Sequence, residues 1–148
     1  MEIQNCIIKG VRIIKSYLLL QDMKKVFLGG TCGTSSWRED LISLLEIDYF
    51  NPVVKEWTDT AYQEELKERE SCDYCLYVIT VALEGVYSIA EVVDDSNKRP
   101  EKTIYCYLET GFTPQQLKSL ASVGKMVVQN GAHWLKSLEE IALFLNQK

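Results

Sequence analysis

Short apolar runs alternate along this chain with longer segments whose apolar residues recur every three or four positions. Val26 to Gly29 is the first such run and predicts a strand that ends in Gly29-Gly30-Thr31. Ser36-x-x-Glu39 has the form of a capping box, and Leu41, Leu44 and Leu45 follow at helical spacing, so a helix is expected over roughly residues 37–46. "IDYFNP" reads as a second strand stopped by Asn51-Pro52. Thr58 is placed to cap a charged helix, "AYQEELKERES". Cys75 to Val81 is rich in β-branched and aromatic residues and suits a buried central strand. A loop and a helix opened by "SIAE" come next, then a strand over Thr103 to Leu108. Thr113-Pro114 has the N-cap and first-turn arrangement of a helix start. Lys125 to Gln129 is expected to be the last strand, and Ser137-x-x-Glu140 caps a final helix carrying Leu138, Ile141, Ala142 and Leu145.

Strands that alternate with helices in this way imply a parallel sheet covered on both faces. The fold class is therefore α/β, a flavodoxin-like or Rossmann-like three-layer sandwich with a five-stranded parallel sheet. "MKKVFLGGT" from Met23 reads as the start of a domain spanning 23–148. Residues 1–22 then read as an upstream extension or an overcalled start, or as an amphipathic helix or strand docked on the domain. Ligands of open α/β sheets bind at the carboxyl ends of the strands. The loops there are Gly29–Ser36, Asn51–Trp57, Ala82–Ser88 and Glu109–Thr113.

Composition narrows the classes. The 148 residues are 47% hydrophobic and 25% charged, as expected of one globular domain. A net charge of −5 argues against a mainly electrostatic grip on a nucleic acid polymer but leaves room for one small nucleotide. No run is long and apolar enough to span a membrane, and Lys9, Arg12 and Lys15 interrupt the N-terminal apolar stretch, which has no small-residue cleavage site. The five cysteines have no disulfide-framework spacing, so reduced thiols and a cytoplasmic location are expected. Cys72-Asp-Tyr-Cys75 matches C-x-x-C, but no second ligand pair accompanies it and it precedes a strand instead of opening a helix, which argues against zinc and against thioredoxin chemistry.

Glu91 in "GVYSIAE" carries two readings. As the fourth residue of Ser88-x-x-Glu91 it completes a capping box. As a carboxylate in a first helical turn it feels the positive end of the helix dipole, stays ionised, and suits a nucleophile for sugar chemistry. That chemistry needs a second acid to protonate the leaving group. Candidates are Glu64, Glu65, Glu68, Asp73 and Glu84, although the charged helix is by default a solvated face. "GGTCGTSS" favours an anion or a sugar hydroxyl by its glycines and the helix start behind it, or is a tight turn needing glycine. It matches neither the P-loop nor a clean dinucleotide fingerprint. The lone His133, in "NGAHW", reads as a turn or cap residue.

"KKVFLGGT", "FNPVVKEW", "ELKERESCDYCLYVIT" and "GVYSIAEVV", in this order, resemble the nucleoside 2-deoxyribosyltransferase-like family over most of residues 23–143. The resemblance implies a flavodoxin-like fold and cleavage or exchange of an N-glycosidic bond. It puts Glu91 in the place of the nucleophile and the supporting acid near Glu65. Gly29, Gly30 and Thr31 would line the sugar pocket, with Asn51 and Trp57 toward the base, and Ser88 is a further candidate for substrate binding. It further implies a homo-oligomer whose neighbours help close each pocket; Trp134, Leu143, Phe144 and Leu145 offer apolar surface for one. The well-studied transferases often carry a tyrosine on the first strand and an aspartate before the nucleophile; here these places hold Phe27 and Glu84. No metal or cofactor is required. The partner is a small nucleoside or nucleotide, with a slight tilt to free nucleosides because no Lys or Arg lies in the first loop before Arg38. A non-catalytic nucleotide-binding module and a TIR-like NAD-cleaving enzyme are the rival readings.

Overall fold

The central strands are apolar on both sides because helices cover both faces of the sheet. In the computed structural model, which describes residues 23–147, β1 (Lys25–Gly30) sends Val26 and Leu28 to one face and Phe27 to the other. β2 (Asp48–Phe50) is a short edge strand, β3 (Tyr74–Ile79) and β4 (Thr103–Tyr107) are buried, and β5 (His133–Trp134) closes the other edge. All pairings are parallel and the order is β2-β1-β3-β4-β5. This is the α/β flavodoxin-like sandwich, and the strand order reverses between β1 and β3.

Helices α1 (Trp37–Ile42) and α5 (Leu138–Leu145) cover the face of Val26 and Leu28 through Trp37, Leu41, Ile141, Ala142 and Leu145. Helices α3 (Tyr87–Lys98) and α4 (Pro114–Gln129) cover the other through Val92, Leu120 and Val127. Helix α2 (Asp59–Ser71) is different: Arg69 is its one buried residue, so it docks through a charge instead of an apolar stripe. Thr58 caps it by accepting from the Ala61 amide, Thr113 and Gln116 cap α4 reciprocally, and Ser137 caps α5. No helix among the described residues is long and apolar enough to cross a membrane.

Several local expectations are corrected. Lys125–Gln129 is not a strand but the last turn of α4, and the fifth strand is His133–Trp134. Leu120, Gly124 and Val127 hold one helical stripe through the β-branched run, and the stripe is buried. Gly124 is where the Trp134 ring packs: a Cβ there would lie 2.5 Å from it. His133 therefore sits on a strand, its ring 4.7 Å from that of Phe144, and not in a turn. The first helix stops at Ile42, short of 46, because Leu44 and Leu45 make tighter bonds to the carbonyls three residues back. Ser36 does not cap it through its side chain; its hydroxyl turns to Asp40 instead. In the final helix Leu145 is buried and Phe144 packs on Tyr74, leaving Leu143 exposed.

Residues 1–22, for which an extension was expected, lie outside the described residues.

Candidate active site

The strand-order reversal opens a crevice where β1 and β3 end. Gly30, the last residue of β1, has φ +107° and faces the Val78 backbone so closely that a Cβ would lie 2.2 Å from its carbonyl oxygen. Only glycine fits both the angle and the space. The next residue, Thr31, is fully buried: its amide donates to the Val78 carbonyl and its hydroxyl accepts from the Thr80 amide, 2.8 Å. Its carbonyl accepts from Trp37 Nε1 and from Arg38 Nη1. Arg38 also donates to the Leu28 carbonyl, 3.0 Å. The first loop is thus pinned from α1, and burial holds the Arg38 guanidinium below its ordinary pKa.

A cavity of about 340 Å³ lies over this loop, of a size for one small ligand. Gly29, Gly30, Cys32 and Gly33 form one wall with Arg38, Leu83–Gly85 form another, and Pro52 and Trp57 sit toward the β2 side. Glu65 enters from α2, and Tyr87, Ser88 and Glu91 from α3. Of the sequence candidates, the structure brings together Gly29, Gly30, Trp57, Glu65, Ser88 and Glu91. Thr31 does not line the cavity; it ties the two strand ends together. Asn51 does not either: its side chain accepts from the Val53 amide, and Pro52 takes the place on the wall. Among the other acids, Glu84 is on the wall. Glu68 is paired with the Lys25 side chain and Asp73 accepts from the Lys25 amide, at the far end of β1. Phe27 stacks on Phe50 and tilts against Tyr77 of β3, whose hydroxyl reaches Asp95.

Glu91 is not a capping residue. Helix α3 begins one residue before Ser88, with Val86 at the N-cap and no side-chain cap. The Glu91 side chain instead meets Arg69, whose Nη1 donates to its Oε1 at 3.1 Å. Arg69 Nε and Nη2 donate to both oxygens of Asp95, at 2.9 and 2.8 Å. The Tyr77 hydroxyl donates to Asp95 as well, 2.5 Å. Glu91 is only 8% exposed. Burial pushes its carboxyl up to about 7, Arg69 opposes the rise, and the charges of Glu65 and Asp95 add to it. Burial also raises Glu65, with Arg69 and then Arg38 pulling the other way. Burial thus favours the protonated form of both carboxyls, and the Arg69 cation beside them favours the charged form of each.

A family model described as nucleoside 2-deoxyribosyltransferase like matches residues 23–110. The chain belongs to this family. The match takes in β1 through β4, and with them every residue on the cavity wall described above. No curated protein and no solved structure matches the chain.

Arg69, Asp95 and Arg38 are the site residues that sequence reading missed. A signal for two of them exists. Glu65 and Arg69 are four apart on α2, and Glu91 and Asp95 four apart on α3, so each helix presents a pair on one face. Arg38 gives no such signal, because its partners are backbone carbonyls.

Proposed function

We propose that this protein cleaves or transfers at the N-glycosidic bond of a nucleoside or nucleotide, with Glu91 as the nucleophile. One observation carries the reading. The Glu91 carboxylate is withdrawn from helix capping, buried in the crevice at the strand-order reversal, and held by a cation within sight of a second carboxyl. Family membership supports nucleoside glycosyl chemistry at that place.

In the proposed reaction a Glu91 oxygen attacks C1′ as the C1′–N bond breaks. The bonding pair goes to the base nitrogen, and the base takes a proton from Glu65, directly or through its ring. A glycosyl ester on Glu91 results. An incoming base nitrogen then attacks C1′, giving its proton to Glu65 and releasing Glu91; this is transfer. Water doing the same is hydrolysis. A base seated over Glu65 excludes more water from it and raises its affinity for the proton it must deliver. Trp57, 61% exposed and touching Tyr62, offers a flat face at the mouth for the base. The small cavity favours one nucleoside-sized ligand.

The test is a panel of ribo- and deoxynucleosides and their monophosphates, each with and without an acceptor base, followed by chromatography. Released base without acceptor indicates hydrolysis, and a new nucleoside indicates transfer. No base from any member of the panel would overturn the proposal.

A further inference from the structure

Arg69 is 6% exposed and divides one guanidinium between two carboxylates of the neighbouring helix. Asp95 takes the Nε–Nη2 edge of the fork with both oxygens, which fixes the guanidinium plane. Asp95 is itself fully buried and accepts from Tyr77 on β3, so the plane is referred to the sheet. With that edge occupied, Nη1 remains for Glu91 and donates to its Oε1. Nη2 also approaches the Glu91 carbonyl, 3.4 Å. We propose that Arg69 is the positioning residue of this site: it holds the Glu91 carboxylate charged and aimed into the cavity, while Asp95 keeps Arg69 in register. The inference deepens the reading of Glu91 given above. It rests on that reading for its consequence in turnover, but not for its electrostatic content.

The groups around Glu91 show why a cation is needed. From α2 it faces Arg69 and Glu65, and from its own helix Asp95 and Tyr87. Arg38 of α1 and Glu84 of the loop before α3 share the cavity wall, and Asp94 stands 3.6 Å from Arg69 on its outer side, already paired with Lys98. Burial, Glu65 and Asp95 all favour the protonated, unreactive form of Glu91, and the contact with Arg69 opposes them. A lysine would not serve equally. It carries the charge but lacks the planar fork that lets one side chain grip Asp95 along an edge and Glu91 from a corner.

The experiment is a carboxyl-carbon NMR titration of the full chain with labelled glutamate and no substrate, the Glu91 signal being assigned by its loss in Glu91→Gln. Arg69→Gln is expected to move the Glu91 midpoint up by about 1–3 pH units, the reach of one close opposite charge. Arg69→Lys should give a smaller rise. Arg69→Gln leaves the buried Asp95 with Arg99, 3.0 Å from its Oδ1, and the Tyr77 hydroxyl but without its bidentate partner, so the double variant Arg69→Gln/Asp95→Asn serves if the single one does not fold. Its midpoint should still rise, since Arg69 acts on Glu91 more strongly than Asp95 does. In base release, the acid limb of the pH–rate profile should move with the midpoint, and kcat should fall more than KM rises. A Glu91 midpoint that stays put in these variants would overturn the proposal and leave Arg69 a purely structural residue. If no protein releases base, the function above fails while the titration still decides on Arg69.

Discussion

Arg69 Nη1 stands 3.1 Å from Glu91 Oε1, across 22 positions of sequence. That contact separates the two meanings of Glu91. A capping glutamate would turn back to the Ser88 amide, at the wet end of its helix. This one turns sideways into a crevice and meets a buried cation.

The first consequence is a stability signature opposite to that of a cap. Burial raises the Glu91 carboxyl from its ordinary 4.5 to about 7. A carboxyl raised in the folded state contributes stability below its unfolded value, and the contribution is lost as pH climbs to the folded one. Above pH 7 the protein therefore carries a charge it would rather not bury. Glu91→Gln should abolish base release and yet unfold at higher urea than wild type at pH 8, by about 1–3 kcal/mol. At pH 4 the two should converge. A lost cap would instead destabilise at both values by roughly 1 kcal/mol.

The same shift sets the acid limb of activity. Attack needs ionised Glu91, so kcat/KM should fall about tenfold per unit below a midpoint near pH 7. The limb is read from base release in buffers of constant ionic strength. A flat profile down to pH 5 would remove Glu91 from the rate-determining attack.

Glu65→Gln tests the acid. Proton delivery is typically worth about 10²–10⁴-fold, so release of ordinary bases should slow by that order. A nucleoside whose base is already cationic, such as an N7-methylated purine, leaves without a proton and should be much less affected. Equal losses for both substrates would deny Glu65 the role.

Trp57→Ala should leave the fold intact, because the residue is exposed and lies outside both core clusters. Stacking on an aromatic face is worth about 1–3 kcal/mol per base, so KM should rise roughly tenfold or more with kcat nearly held. Thermal melts of the variant establish the intact fold independently.

Gly30→Ala acts on the scaffold. The positive φ and the Val78 carbonyl 2.2 Å from the added Cβ force the β1 exit apart from β3. The expected loss is at least about 2 kcal/mol, read from urea melts. Gly33→Ala, where φ is also positive but nothing lies within 4 Å, should cost less.

Much of the fold was legible because strand and helix periodicities are local. Val26–Leu28, the β3 run and the caps at Thr58, Thr113 and Ser137 depend on residues within a turn or a strand of one another. Strand order was not legible: it depends on which edges pair, and parallel pairing was implied only by the alternation of elements. Lys125–Gln129 misled because a β-branched pair can sit in a helix when its stripe is buried, and burial is decided by Trp134 arriving over Gly124.

By itself, then, the sequence determined an α/β sheet, the loops at its carboxyl edge, and Glu91 with Glu65 as acids worth locating there. Tertiary structure decided what those acids are. Ser88-x-x-Glu91 permits a capping box, and nothing within the helix forbids it. The buried guanidinium of Arg69, brought from α2 and fixed by Asp95 and Tyr77, gives the carboxylate a stronger partner than a backbone amide, because a charge-assisted hydrogen bond gains most where water is excluded. That competition is between elements far apart in the chain, so only the folded arrangement resolves it.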